Sequence, residues 1–192
     1  MSIFELTDPL FLPHHGCDVK FTASPGEIVL LWGENGIGKT TLLQRFYQRF
    51  ESEAVMVDQK ALDFFYDRSI GVLLDFFSNS QLPGLEFSRF THLTQIFELS
   101  SKRDRLLSQL SGGELQMLKL TLCLCVKKPI YLLDEPFQYL DINRRKQLAD
   151  FLFRLKEEKA TVVMVEHNLE SIPQSWNRYH LILDESWLKV GP

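Results

Sequence analysis

The sequence predicts an α/β domain built on a mostly parallel sheet. Three observations carry this. Short apolar runs alternate with helical patterns along the chain. The middle runs are apolar on both faces, as strands covered on both sides are. A glycine-spaced loop, "GENGIGKT" (33–40), stands where the first such run meets a helical pattern.

Taken in order, "EIVLLWG" (27–33), "AVMVD" (54–58), "IYLLDE" (130–135), "TVVMVEH" (161–167) and "YHLILDE" (179–185) are the expected strands. Pro25-Gly26 marks a turn before the first. "TTLLQRFYQRF" (40–50) sets Leu42, Leu43, Phe46 and Phe50 on one helical stripe. "NRRKQLADFLFRLKEEK" (143–159) does the same with Leu148, Phe151, Leu152 and Leu155. Residues 61–110 break the alternation: they are rich in Phe and Leu and mostly helical in pattern. They are expected to form a helical insertion on a core of about 1–60 and 111–192, within a single domain 1–192.

Composition narrows the class. The chain has 192 residues, 45% hydrophobic and 24% charged, the balance of a soluble globular protein. Its net charge of −4 and the lack of a Lys/Arg run argue against direct binding of nucleic acid. The start, "MSIFELTDPL", lacks the features of a secretory leader, and no apolar run is long enough to span a bilayer. Cys17, Cys123 and Cys125 are too few and too poorly spaced for a disulfide framework, and a reduced, cytosolic protein is expected.

Gly33, Gly38, Lys39 and Thr40 fit G-x-x-x-x-G-K-[ST] between a strand and a helix. Glycines let successive N–H groups face phosphate oxygens, and the helix adds its positive end. The stretch Gly33, Glu34, Asn35, Gly36, Ile37, Gly38, Lys39, Thr40 and Thr41 is therefore the candidate nucleotide cradle. Lys39 would reach the β- and γ-phosphates and Thr40 would hold Mg²⁺. "IYLLDEP" places Asp134 and Glu135 at a strand's carboxyl end, where ligands of open α/β sheets bind. Asp134 would orient Mg²⁺ and Glu135 would accept a proton from the attacking water.

"LSGGE" (110–114) resembles the signature motif of ABC-type ATPases, and "LLDEP" and "YLD" follow it at the family's interval. Gln59, ending "MVDQ", resembles the Q-loop glutamine; "QYLD" (138–141), with Asp141, resembles the D-loop; "VEHN" (165–168) carries His167 where the family has its switch histidine. The resemblance runs from about Phe11 to Gly191. It implies a P-loop NTPase core, ATP and Mg²⁺, a Gln59 that senses the metal beside Thr40 and Asp134, and a His167 that contacts the γ-phosphate. It also implies a head-to-tail pair of chains, in which Ser111, Gly112 and Gly113 reach the partner's ATP. Ser111-x-x-Glu114 equally fits a capping box, so Glu114 has a structural reading beside the functional one. Phe11 stands where the family stacks adenine; an ordinary packed Phe is as good a reading, and Phe4 competes for the role.

The implied function is the ATP-hydrolysing subunit of an ABC transporter. It would be a homodimer or be paired with a related subunit, peripheral on the cytoplasmic face, and would drive a separate multi-spanning membrane subunit. "LLDFFSNSQLPGLEF" (73–87) is the candidate docking surface, or else part of the insertion's own core. The alternative is a non-transport ABC ATPase acting on nucleic acid or ribosomes, whose relatives usually carry coiled coils, a second ATPase domain or basic extensions. "DEPF" resembles the short haem-exporter ATPases of cytochrome c maturation. The sequence departs from the family pattern in three places. Lys39 and Gln59 are only 20 positions apart, which implies a reduced antiparallel β region. "KLTLCLC" stands where arginine and alanine are common. The chain stops soon after "WLKVG", with no regulatory domain expected there.

Overall fold

A computed structural model describes residues 4–6, 21–57, 62, 65–167, 172, 176–184 and 187–191. Among these, β1 (Phe4–Leu6) and β2 (Phe21–Ala23) form a small antiparallel pair. The main sheet comprises β3 (Ile28–Trp32), β4 (Ala54–Val57), β5 (Ile130–Asp134), β6 (Thr161–Val165), β7 (Asn177–Asp184) and β8 (Trp187–Gly191), in the order β4-β5-β6-β3-β7-β8. Every pairing in it is parallel except the β7–β8 hairpin. The helices are α1 (Lys39–Arg49), α2 (Ile70–Asn79), α3 (Phe87–Ile96), α4 (Gly112–Leu124) and α5 (Ile142–Glu157).

Strand alternation divides the core. Val29, Leu31, Leu132, Val163 and Val165 meet Leu42, Leu43 and Phe46 of α1 on one face. Ile28, Leu30, Leu133, Val162 and Met164 join Leu148, Leu152 and Leu155 of α5, together with α4 and the helical segment, on the other. Both faces of the central strands are thus covered, as their unbroken apolar runs require. Phe50, the C-cap of α1, is half-buried and packs against the same cluster as Leu42, Leu43 and Phe46, as the stripe predicts. The strands β1, β2 and β8 lie outside the predicted set.

The segment between β4 and α4 holds α2, α3 and short 3₁₀ turns at Leu99–Lys102 and Leu107–Gln109. Its Phe- and Leu-rich stretch divides between two roles. Leu73 and Leu74 are buried, whereas Phe76 and Phe87 are 60% and 61% exposed. Cys123 and Cys125 are buried in α4 and at its end, and desolvation pushes the Cys125 thiol up to about 12. Both behave as small hydrophobes; Cys17 lies outside the described residues.

Arg89 ties α3 to the sheet. It donates to the Tyr131 hydroxyl at 2.8 Å and pairs with Glu86 at 2.6 Å and with Glu158 just beyond α5. The Tyr131 hydroxyl in turn donates to the Val126 carbonyl at 2.9 Å. Removing the guanidinium takes a donor from each partner, although Glu86 keeps Lys127 at 3.3 Å and the Tyr131 hydroxyl keeps the Lys128 N–H at 3.2 Å. Because both carboxylates keep some access to water, Arg89→Ala is expected to cost about 2 kcal/mol, below the full cost of breaking a buried pair. Urea unfolding checks this.

Candidate functional site

The site begins where β3 ends. Gly36 (φ 82°) and Gly38 (φ 100°) take left-handed conformations that an L side chain resists, so the loop turns tightly onto α1. A Cβ on Gly36 would meet nothing within 4 Å, so its torsion, not crowding, calls for glycine. Ile37 is buried beside Leu31 and Leu42 and anchors the loop, while Glu34, Asn35 and Gly36 are exposed. Gly38 is the N-cap of α1 and provides no side-chain cap. The N–H groups of the first turn therefore look to a ligand for a partner. Lys39 is 5% exposed, and its Nζ donates to the carbonyls of Gly33 (2.8 Å) and Glu34 (2.7 Å). Burial lowers its pKa, opposed by the carboxylates of Glu135 and Asp134.

The carboxyl ends of β5 and β6 supply the facing wall. The Thr40 hydroxyl donates to Asp134 Oδ2 at 3.0 Å across 94 positions of sequence. Glu135 leaves β5 in a left-handed conformation (φ 49°), and its N–H is held by the Val165 carbonyl at 3.0 Å. Its Oε1 meets His167 Nε2 at 2.7 Å. A cavity of about 500 Å³ is lined by Asn35, Gly36, Gly38, Lys39, Thr40, Thr41, Glu135, Gln138 and His167. This donor set fits a nucleotide's phosphates: open N–H groups and an ammonium for the anion, a hydroxyl and a carboxylate for a hard cation. Among the described residues no three His, Cys, Asp or Glu side chains converge on a metal position. A cation here would therefore depend on phosphate oxygens as well, which is how Mg²⁺ is commonly held. Gln59 and Phe11 lie outside the described residues.

The signature residues are not in the lining of that cavity. Ser111 caps α4: its Oγ accepts from the Glu114 N–H at 3.3 Å, and Glu114 Oε2 accepts from the Ser111 N–H at 2.8 Å. The Ser111 N–H, then its hydroxyl, Arg105 and Lys102 hold the Glu114 carboxyl below its usual range against the effect of burial. Glycine at 113 is forced by packing, since a Cβ there would lie 2.6 Å from the Tyr139 carbonyl oxygen. At 112 it would lie 3.3 Å from the Tyr139 ring. Gln116 of α4 donates to the Glu135 carbonyl at 3.2 Å, a second link between signature helix and carboxylate loop. Asp141 caps α5, accepting from the Arg144 N–H at 2.9 Å.

Two residues at the site escape sequence reasoning as individuals. Gln138 lines the cavity. Glu166 is 5% exposed, and its Oε1 accepts the Phe137 N–H at 2.8 Å. Desolvation pushes its carboxyl from 4.5 up to about 7, helped by the nearby Glu135 and opposed by the Phe137 N–H. The folded-state pKa is raised, so Glu166 favours the fold below about 4.5, and that contribution is lost as pH rises through about 7. Relative to Glu166→Gln, the protein is expected to lose about 3 kcal/mol of unfolding free energy between pH 4.5 and 8. Parallel urea titrations of the two proteins read this difference.

A parallel sheet with a glycine loop opening onto a helix, facing paired carboxylates at strand ends, defines a P-loop NTPase core. A sequence profile of the ABC transporter family matches residues 17–138. The chain belongs to the ABC transporter family. It is 31% identical over 178 residues to the thiamine import ATP-binding protein ThiQ of Vibrio cholerae, covering 81% of this chain and 75% of the relative. It is 32% identical over 187 residues to the sulfate/thiosulfate import ATP-binding protein CysA of Escherichia coli K12, covering 84% of this chain and 51% of the relative. The chain thus spans about half the length of the CysA relatives it matches. A solved structure of an ATP-binding subunit of an ABC transporter shares the fold with TM-score 0.70 at 19% identity, covering 89% of this chain and 80% of the other.

Proposed function

We propose that the chain is the ATP-binding and ATP-hydrolysing subunit of an ABC transporter. The observation that carries this reading is the 2.7 Å contact between Glu135 and His167 on the wall of the cavity that Lys39 and Thr40 also line. The backbone from Gly33 to Thr41 receives the phosphates, and Lys39 neutralises their charge. Glu135 accepts a proton from the attacking water, and His167 holds that carboxylate and reaches toward the γ-phosphate. Thr40, Asp134 and Gln59 would hold Mg²⁺, which when bound neutralises charge on the phosphate oxygens. Phe11 is the proposed adenine platform. Ser111, Gly112 and Gly113 serve a second chain's nucleotide, so ATP closes a dimer and hydrolysis reopens it.

The work is delivered to a separate membrane subunit. Support comes from the exposed Phe76 and Phe87 and from an apolar cavity of about 330 Å³ lined in part by Val55, Met56, Phe65, Phe76 and Phe77. The core of about 1–60 and 111–192 would hold the nucleotide, and residues 61–110 would meet the partner. Among the described residues no helix is long and apolar enough to cross a membrane. On this reading the partner holds the chain at the cytoplasmic face. Affinity purification from detergent-solubilised membranes, followed by phosphate-release assays of the purified assembly, tests the reading. A multi-spanning protein and ATP-dependent phosphate release are expected. Co-purification with ribosomes or DNA instead would replace it with a non-transport ATPase.

A further inference from the structure

Glu166 is a buried carboxylate beside the reaction centre that the proposed mechanism leaves unused. It follows β6, where the Leu31 carbonyl holds its N–H at 3.2 Å. Its Oε1 takes the Phe137 N–H at 2.8 Å, and the adjoining His167 N–H favours its ionised form. The neighbouring bond, Glu135 N–H to the Val165 carbonyl, lies on the other side of Glu135. Pro136 has no N–H, so Phe137 offers the first one after Glu135 that can be held. The two bonds therefore flank the left-handed Glu135, a conformation that surrounding contacts must maintain.

We infer that Glu166 is the positioning residue for the Glu135–His167 pair. Its carboxylate, on the residue directly before His167, holds the first available N–H after Glu135, so it ties together the two backbones whose side chains meet at 2.7 Å. A glutamine amide keeps one accepting oxygen but sets an NH₂ donor where the carboxylate has its second acceptor, beside the His167 N–H. Glu135 and Arg145 are the other charged side chains that act on it, the first opposing ionisation and the second favouring it. The inference rests on the ATP-hydrolysis reading for its consequence and on backbone geometry for its content.

The test uses the full chain, isotope-labelled, as wild type and Glu166→Gln, with the membrane partner added for turnover. Glu166→Gln is expected to bind a fluorescent ATP analogue within about threefold of wild type, while turnover falls at least ~10-fold. Without nucleotide, the His167 ring resonance, assigned with His167→Ala, should move in Glu166→Gln toward its position in Glu135→Gln. Wild-type turnover with an unmoved His167 resonance overturns the inference. So does a parallel loss of folding, binding and turnover accompanied by separate midpoints for the wild-type Phe137 and His167 amides on pH titration, which are expected to share one midpoint. If wild type releases no phosphate with its partner, the ATPase reading fails, and the His167 resonance still decides the positioning role.

Discussion

Glu135→Gln is expected to lower ATP turnover by roughly 10²- to 10⁴-fold, the range attached to a positioned general base, while nucleotide still binds. The amide has the size and reach of the carboxylate but cannot take a proton from water. Lys39 and Thr40, on the opposite wall of the cavity, are untouched, so phosphate binding should persist. If hydrolysis opens the dimer, blocking it should accumulate the closed form. Size-exclusion chromatography with light scattering should show a dimer for the variant in ATP and monomer without it. A variant that turns over ATP at the wild-type rate would remove Glu135 from the chemistry. A variant that is inactive yet monomeric in ATP would keep the base and sink the closing pair of chains. His167→Ala separates the two members of the contact: it should reduce turnover while leaving a carboxylate that can still accept a proton.

What the sequence makes legible follows from how locally each feature is specified. The phosphate loop is readable because its torsions are written in residue types: left-handed backbone at 36 and 38 calls for glycine, and glycine stands there. The Ser111–Glu114 capping box closes within a single turn, and the same three-residue spacing is visible in sequence and structure. Thr40 and Asp134 meet across 94 positions, and the sequence joins them only through the Mg²⁺ that two separate motifs call for. Glu166 had no such guide. It reads as a charge at the end of a strand, and its burial depends on an N–H delivered from 29 positions away. The need for glycine at 113 is hidden for the same reason, since the crowding oxygen belongs to Tyr139. The short strands β1, β2 and β8 are set by pairing partners rather than by their own pattern. An apolar stretch such as 73–87 does not by itself say which of its side chains a neighbour will cover.

Lys39→Ala is expected to weaken nucleotide binding roughly 10²- to 10³-fold, about 3 to 4 kcal/mol, the scale of one charge–charge contact at an effective dielectric near 20. Two effects add. The carbonyls of Gly33 and Glu34 lose the donor that draws the loop around the ammonium. The cavity also keeps Asp134 and Glu135 without the cation beside them, so an incoming polyphosphate meets net negative charge. Unfolding does not explain such a loss. Burial lowers the Lys39 pKa, so in the empty protein the ammonium is held at a cost that rises as pH falls. That cost offsets the loss of the two carbonyl contacts, so removal of the ammonium should leave the nucleotide-free fold nearly as stable. Titration with a fluorescent ATP analogue, paired with urea unfolding of the empty protein, reads both quantities. Unchanged affinity would mean that the phosphates do not lie against α1. Weakened binding with a matching fall in empty-protein stability would make Lys39 a structural support of the loop, leaving the N–H groups of the cradle as the principal anion contact.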